Sequence, residues 1–145
     1  IENGKFTTLL HNLKTAHKAG VKSTGNAARA GFAGSVQVSP TNFYFMPGEK
    51  SLAQLMEDMN EGLVITDVSG LHAGANAISG DFSLIAQGYT VKDGKKDLPV
   101  DRITVAGNFF QLLKNIRALG SDLYFPGSST GSPSVDIGEI AVAGK

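Results

Sequence analysis

Residues 81–108 decide the fold, and they read DFSLIAQGYTVKDGKKDLPVDRITVAGN. Two strand-like runs, DFSLIAQGYTV and LPVDRITVAG, flank a short polar segment from Lys92 to Lys96. That segment contains Asp93-Gly94, and Asp-Gly is a strong signal for a two-residue hairpin turn because both positions tolerate positive φ. The stretch therefore predicts two long antiparallel strands joined by a tight turn.

The segments around this hairpin predict helices and further strands. The apolar positions of a helix over Thr8–Ala19 recur at helical spacing, and Gly20 suits its end. Ser51 is a suitable N-cap for a second helix, which we expect to end near Gly62. Asn108 is a suitable N-cap for a third helix, which reads FFQLLKNIRAL. The β-branched run LVITDV predicts a buried strand. Shorter strands are expected at SVQVS, at DLYF and near the carboxyl end of the chain. Asn3-Gly4 indicates a turn, and the glycine-rich stretch KSTGNAARAGFAG is expected to be a loop.

These elements predict the fold class. About three helices and seven to nine strands, paired mainly through hairpins, indicate an α+β protein with a mostly antiparallel sheet or a barrel-like sheet. The length of 145 residues is typical of one domain, so residues 1–145 are expected to form a single domain. The first residue is Ile1 rather than Met, and we expect the chain to be a piece of a longer protein.

The composition restricts the class of function. Lys plus Arg equals Asp plus Glu, so the net charge is zero, which argues against nucleic-acid binding. There is no cysteine, which excludes disulfides and cysteine-ligated zinc within the chain and favours a cytoplasmic protein. No apolar run approaches the roughly 18 residues that a membrane span needs, so no membrane partner is expected.

No motif indicates a catalytic or metal site. His11 and His17 are six residues apart, which places them roughly 240° apart on a helix, unlike the zinc-binding HExxH pattern. The glycine-rich stretches GNAARAG and GSSTGSPS match neither a Walker A loop nor a dinucleotide-binding loop. Ser79, Asp81 and His72 are too close in sequence for a hydrolytic triad to be expected. Glu57, Asp58 and Glu61 are expected to form a solvated helix face.

Three stretches together resemble the C-terminal domain of the TldD/PmbA family, whose older name is modulator of DNA gyrase. They are GLHAGANAISGDFSLIAQGY (residues 70–89), PVDRITVAGNFFQLLKNIRALGSDL (residues 99–123) and GSPSVDIGEIAVAGK (residues 131–145). The resemblance covers nearly the whole chain. The order of SGDFS, ITVAGN and GSPS is specific, whereas each alone would be weak.

The resemblance implies a metallopeptidase system that acts on peptides. The TldD branch carries zinc and a late cysteine ligand, which would fall between Phe125 and Ser132, where this chain has none. The chain is therefore similar to the metal-free PmbA (TldE) branch. Zinc is implied only in a TldD-like partner, and dimerisation with such a subunit or with itself is expected.

A glycine-rich turn within the first of these stretches is expected to border a peptide-binding cavity. Its candidate residues are Gly74, Asn76, Ser79 and Asp81. The glycines permit the turns, and the polar side chains can bind local backbone groups. An alternative function is a non-enzymatic protein-binding module or regulator that recognises a protein through its glycine-rich loops.

Overall fold

The computed structural model describes Ile1 and residues 5–144. The turn predicted at Asn3-Gly4 lies outside the described residues. The chain divides into two compact units, here called the amino-terminal unit (Ile1–Tyr44 and Phe125–Gly131) and the sheet unit (Phe45–Tyr124 and Ser132–Lys145). Each is described by itself.

In its described part, the amino-terminal unit contains one helix and two small sheets. Helix α1 (Leu13–Ala19) begins after Asn12, whose side chain accepts a hydrogen bond from the Thr15 backbone N–H, and it ends at Gly20 in the left-handed conformation. Strands β1 (Ala27–Arg29) and β2 (Val36–Val38) pair antiparallel, while β3 (Phe43–Tyr44) and β8 (Thr130–Gly131) pair in parallel. The helix therefore starts five residues later than predicted, because Asn12 provides a side-chain cap that Thr8 does not.

The sheet unit is built on the predicted hairpin. Strands β5 (Asp81–Lys92) and β6 (Lys95–Asn108) pair antiparallel, and the turn residues Asp93 and Gly94 both have positive φ, 50° and 71°. Strand β4 (Gly62–Ser69) adds to β5, and β10 (Ala141–Ala143) adds to β6. The resulting order, β10-β6-β5-β4, is an open four-stranded sheet.

Helices and short strands accompany this sheet. Helix α2 (Leu52–Met59) has the predicted cap at Ser51, and α4 (Phe109–Lys114) has the predicted cap at Asn108. A four-residue helix, α3 (Leu71–Gly74), and the antiparallel pair β7 (Ala118–Leu119) and β9 (Val135–Asp136) complete the unit.

The α+β prediction is confirmed, with a mostly antiparallel sheet that is not closed into a barrel. Over the described residues there are four helices rather than three, because α3 is too short to show helical periodicity in the sequence. Helix α4 ends at Lys114 rather than at the predicted Leu119, because Leu119 pairs with Val135 in strand β7. Helix α2 ends at Met59, three residues before the predicted end at Gly62. Within the predicted loop 22–34, Ala27–Arg29 forms β1, and the predicted strand DLYF is reduced to a single bridge between Tyr124 and Ser132.

The core lies on one face of the four-stranded sheet. Directly opposed residues of neighbouring strands share a face, and the register places Val68, Ala86 and Ile103 together, and Leu84, Val105 and Val142 together. Leu84, Ala86, Ile103 and Val105 are buried, whereas Ile85 on the opposite face is 53% exposed. Among the described residues, no helix is long and apolar enough to cross a membrane.

Candidate functional site

The predicted site residues lie together in one turn of the sheet unit. This turn, residues 74–82, joins α3 to β5, and it is closed by a bridge between Ala75 and Phe82. Asn76 organises it, because its backbone N–H donates to the Asp81 carbonyl at 2.9 Å and its carbonyl accepts from the Gly80 N–H at 2.8 Å. The side-chain oxygen of Asn76 also accepts from the N–H groups of Ile78 and Ser79, at 2.9 and 3.1 Å. The amide of Asn76 is therefore engaged in shaping the turn.

Two glycines make close backbone packing possible in this turn. A Cβ atom on Gly74 would lie 2.2 Å from the Ser83 carbonyl oxygen, which is far inside van der Waals contact. Gly80 is buried, has φ +80°, and a Cβ there would lie 2.6 Å from the ring of Phe110. Gly74 is required because of the close approach, and Gly80 because of both its positive φ and the close approach.

Asn108 connects the turn to helix α4. Its side-chain amide donates to the Ser79 carbonyl at 2.8 Å and to the Asp81 carboxylate at 2.7 Å. Its side-chain oxygen accepts from the Phe110 and Gln111 backbone N–H groups at the start of α4. The bond from Asn108, followed by the contact with the Ser79 hydroxyl, lowers the pKa of Asp81 below its ordinary value. Asp81 is therefore an ionised, exposed hydrogen-bond acceptor rather than a proton donor at neutral pH.

An open apolar groove of about 1670 Å³ lies beside the turn. Its floor is the core face of the sheet, including Val68, Leu84, Val105 and Val142, and one wall carries Phe109 and Phe110. Asn76 and Gly80 of the turn line the groove, whereas Gly74, Ser79 and Asp81 do not. The turn therefore borders the groove through two of the four predicted site residues, together with Ala75, Ala77 and Phe82.

A second loop pair closes another side of the groove, and the sequence did not reveal it. The Asp122 carboxylate accepts from the Ser134 hydroxyl at 2.6 Å and from the Ser134 N–H at 3.0 Å, and both residues line the groove. The hydroxyl bond from Ser134 is the main reason why the pKa of Asp122 is lowered. Asp122 and Ser134 belong to the stretches GSDL and GSPS and lie twelve residues apart in the sequence, which gives no indication of their contact.

Metal binding can be tested on the side chains themselves. Over residues 5–144, no group of three His, Cys, Asp or Glu residues lies close enough together to hold a metal ion. The described side chains therefore do not fit the zinc site that the resemblance implies for the TldD branch, and no catalytic step through zinc is assigned to them.

The sheet unit therefore combines an open antiparallel sheet with an apolar groove, and its fold class is α+β. The chain belongs to the family described as the PmbA/TldA metallopeptidase C-terminal domain, whose model matches residues 1–144. The resemblance found in the sequence is thereby confirmed.

Individual relatives agree with this assignment. The metalloprotease PmbA of Escherichia coli O157:H7 is 34% identical over 145 residues, which cover 100% of this chain and 29% of that protein. A crystal structure from Thermotoga maritima, described as a proposed modulator of a DNA gyrase, is 48% identical with a TM-score of 0.82, covering 99% of this chain and 32% of that one. TldE from Thermococcus kodakarensis has the same fold, with a TM-score of 0.83 at 23% identity, over 99% of this chain and 33% of that chain. The chain spans about a third or less of the length of these relatives.

Proposed function

We propose that this chain is the C-terminal domain of a PmbA/TldE-like subunit in a TldD/PmbA-type metallopeptidase system that processes peptides in the cytoplasm. In this proposal the domain holds no metal, helps to enclose the peptide, and assembles with a TldD-like subunit or with a second copy. The zinc belongs to a TldD-like partner. The observation that carries the proposal is the open apolar groove on a domain of this family.

The groove has features that suit a peptide. Part of its lining comes from the four-stranded sheet, whose last strand in the order β10-β6-β5-β4 is β4. Among the residues that the structure describes, one edge of β4 has no partner strand. An extended peptide can add to such an edge through main-chain hydrogen bonds, which do not depend on peptide sequence. Alternate side chains of such a peptide then face the same side of the sheet as the groove.

The absence of zinc from the domain is supported by sequence and by side-chain placement. The chain has no cysteine between Phe125 and Ser132, where the TldD branch is expected to carry a ligand. A peptide bound here would therefore be cut by groups of another subunit. On this account the turn at Asn76 and Gly80 limits the groove and does not react with the peptide.

Reconstitution tests this proposal. The purified chain is incubated with an unstructured peptide and Zn²⁺, with and without a TldD-like protein from the same organism, and cleavage is followed by mass spectrometry. We expect no cleavage by the chain alone and co-elution with the TldD-like protein in size-exclusion chromatography. Chelator-sensitive cleavage by the chain alone would refute the metal-free role, and failure to bind either peptide or partner would refute the proposal as a whole.

A further inference from the structure

The amino-terminal unit has almost no apolar core of its own. Among its described residues, Ala16 is the one buried apolar side chain, and Phe125 is the one large hydrophobic side chain that is not exposed. Folded domains bury most such side chains, and a concentration of exposed ones marks an interaction surface. A unit with this exposure therefore lacks part of its core.

Residues 6–10, which read FTTLL, are the part of this unit with the fewest internal bonds. All five are exposed, and the side chains of Phe6 and Leu9 are 67% and 60% exposed. Within the described part of the chain, none of their backbone N–H or C=O groups bonds to another backbone group. Both the backbone and the apolar side chains of this segment are therefore available to a partner.

The chemistry of residues 6–10 favours a strand rather than an extension of helix α1. The helix begins at Leu13 because Asn12 caps it with an extended backbone, φ −87° and ψ 178°, so a longer helix would lose this cap. Phenylalanine and threonine favour strands, and five residues are a common strand length. Lys5, which directly precedes the segment, is already in a β-bridge.

The sequence indicates from which direction the partner strand comes. Asn3-Gly4 directly precedes Lys5 and predicts a two-residue hairpin turn. Such a turn reverses the chain, so the strand antiparallel to residues 6–10 is the one that leads into Ile1. In that pairing Ile1, which is 73% exposed, would lie opposite Phe6, and pairs of a β-branched and an aromatic side chain stabilise a sheet.

The relatives contain enough additional chain to supply this strand. The matching family is described as a C-terminal domain, and this chain covers 29% of the Escherichia coli protein and 32% of the Thermotoga maritima chain. A strand from the same polypeptide needs only a short loop to reach residues 6–10, whereas a second copy loses translational and rotational freedom on binding. These facts favour the same polypeptide as the partner.

We propose that residues 6–10 are a docking strand for the polypeptide that precedes Ile1 in the longer protein containing this domain. An extended segment of that polypeptide pairs with residues 6–10 and covers Phe6 and Leu9. The amino-terminal unit is then completed by the preceding region and not by a partner subunit. This goes beyond the proposed function, because it concerns how the domain is joined to the preceding region, and its tests do not depend on peptide binding in the groove.

The coding sequence upstream of Ile1 gives the first test. The five residues directly before Ile1 should include β-branched or aromatic residues and no proline, because proline cannot donate a hydrogen bond to a neighbouring strand. A run of glycine and proline at that place, or a reading frame that begins at Ile1, would overturn the proposal.

Amide hydrogen exchange gives the second test, with the longer protein compared with residues 1–145 by mass spectrometry. We expect residues 6–10 to exchange at least about tenfold more slowly in the longer protein. The protection should be the same at all protein concentrations, because the partner strand is intramolecular. Equal exchange in the two proteins would overturn the proposal. Protection that appears only at high concentration would also overturn it and would assign residues 6–10 to a second copy.

Matched variants give the third test. Phe6→Ser should lower the thermal midpoint of the longer protein by about 3 °C or more, and that of residues 1–145 by less than about 1 °C, because only the longer protein buries this ring. The control is Phe32→Ser, at a position that is 99% exposed and outside the docking strand, which should shift either midpoint by less than about 1 °C. Circular dichroism checks that each variant folds. Equal shifts for Phe6→Ser in the two proteins, or for the two variants in the longer protein, would contradict the proposal.

Discussion

The side chain of Asn108 is the most informative single position to perturb, because it holds both the turn and helix α4. Asn108→Ala removes the cap on the Phe110 and Gln111 N–H groups, which costs about 1 kcal/mol. It also removes the donor to the Ser79 carbonyl at 2.8 Å, a bond that contributes about 1 kcal/mol. We therefore expect the free energy of unfolding to fall by about 2 kcal/mol.

Urea denaturation followed by circular dichroism measures this loss, and thermal denaturation should show a midpoint lowered by about 4–8 °C. The control is Asn115→Ala at the other end of α4, where the side chain makes no hydrogen bond in the described part of the chain, so the cost should be under about 0.5 kcal/mol. Equal losses for the two variants, or a loss below about 0.5 kcal/mol for Asn108→Ala, would refute the assignment of Asn108 as the link between turn and helix.

Two further predictions concern the sheet and the pH dependence of stability. Gly88→Ala would place a Cβ atom 1.9 Å from the Val64 carbonyl oxygen, so we expect it to disrupt the β4–β5 pairing and to lower the free energy of unfolding by about 3 kcal/mol or more. The control is Gly127→Ala, whose Cβ would meet no atom within 4 Å and which should cost about 1 kcal/mol. Urea denaturation measures both losses. The Ser134 hydroxyl lowers the pKa of Asp122 in the folded state below its ordinary value. The unfolded state therefore binds more protons in acid, and stability is lost as the pH falls through the folded-state pKa. Thermal midpoints measured from neutral pH down to about pH 2.5 should fall less steeply for Ser134→Ala than for the parent chain, and identical acid limbs would contradict this.

The parts of the fold that the sequence predicted depend on local chemistry. Asp93-Gly94 specifies its turn because both residues adopt positive φ, and Ser51 and Asn108 specify helix starts because their side chains accept backbone N–H groups within three residues. These signals require no knowledge of the rest of the chain.

The groove could not be predicted because it depends on register between distant strands. Val68 reaches the floor only because it lies opposite Ala86, after a bulge between Ile65 and Asp67 that shifts the pairing. The parallel pair of Phe43 with Thr130 likewise joins segments that no local pattern connects. Sequence found the turn that borders the groove and missed the residues that form its floor.

Hydrogen exchange tests the central claim most directly, because it reports where a peptide binds. The chain is exchanged with and without a saturating concentration of an unstructured peptide, and protection is mapped along the sequence by mass spectrometry. The account predicts slower exchange across β4, Gly62–Ser69, with no change in the hairpin of β1 and β2. Protection confined to β1 and β2, or none in β4 despite bound peptide, would contradict it.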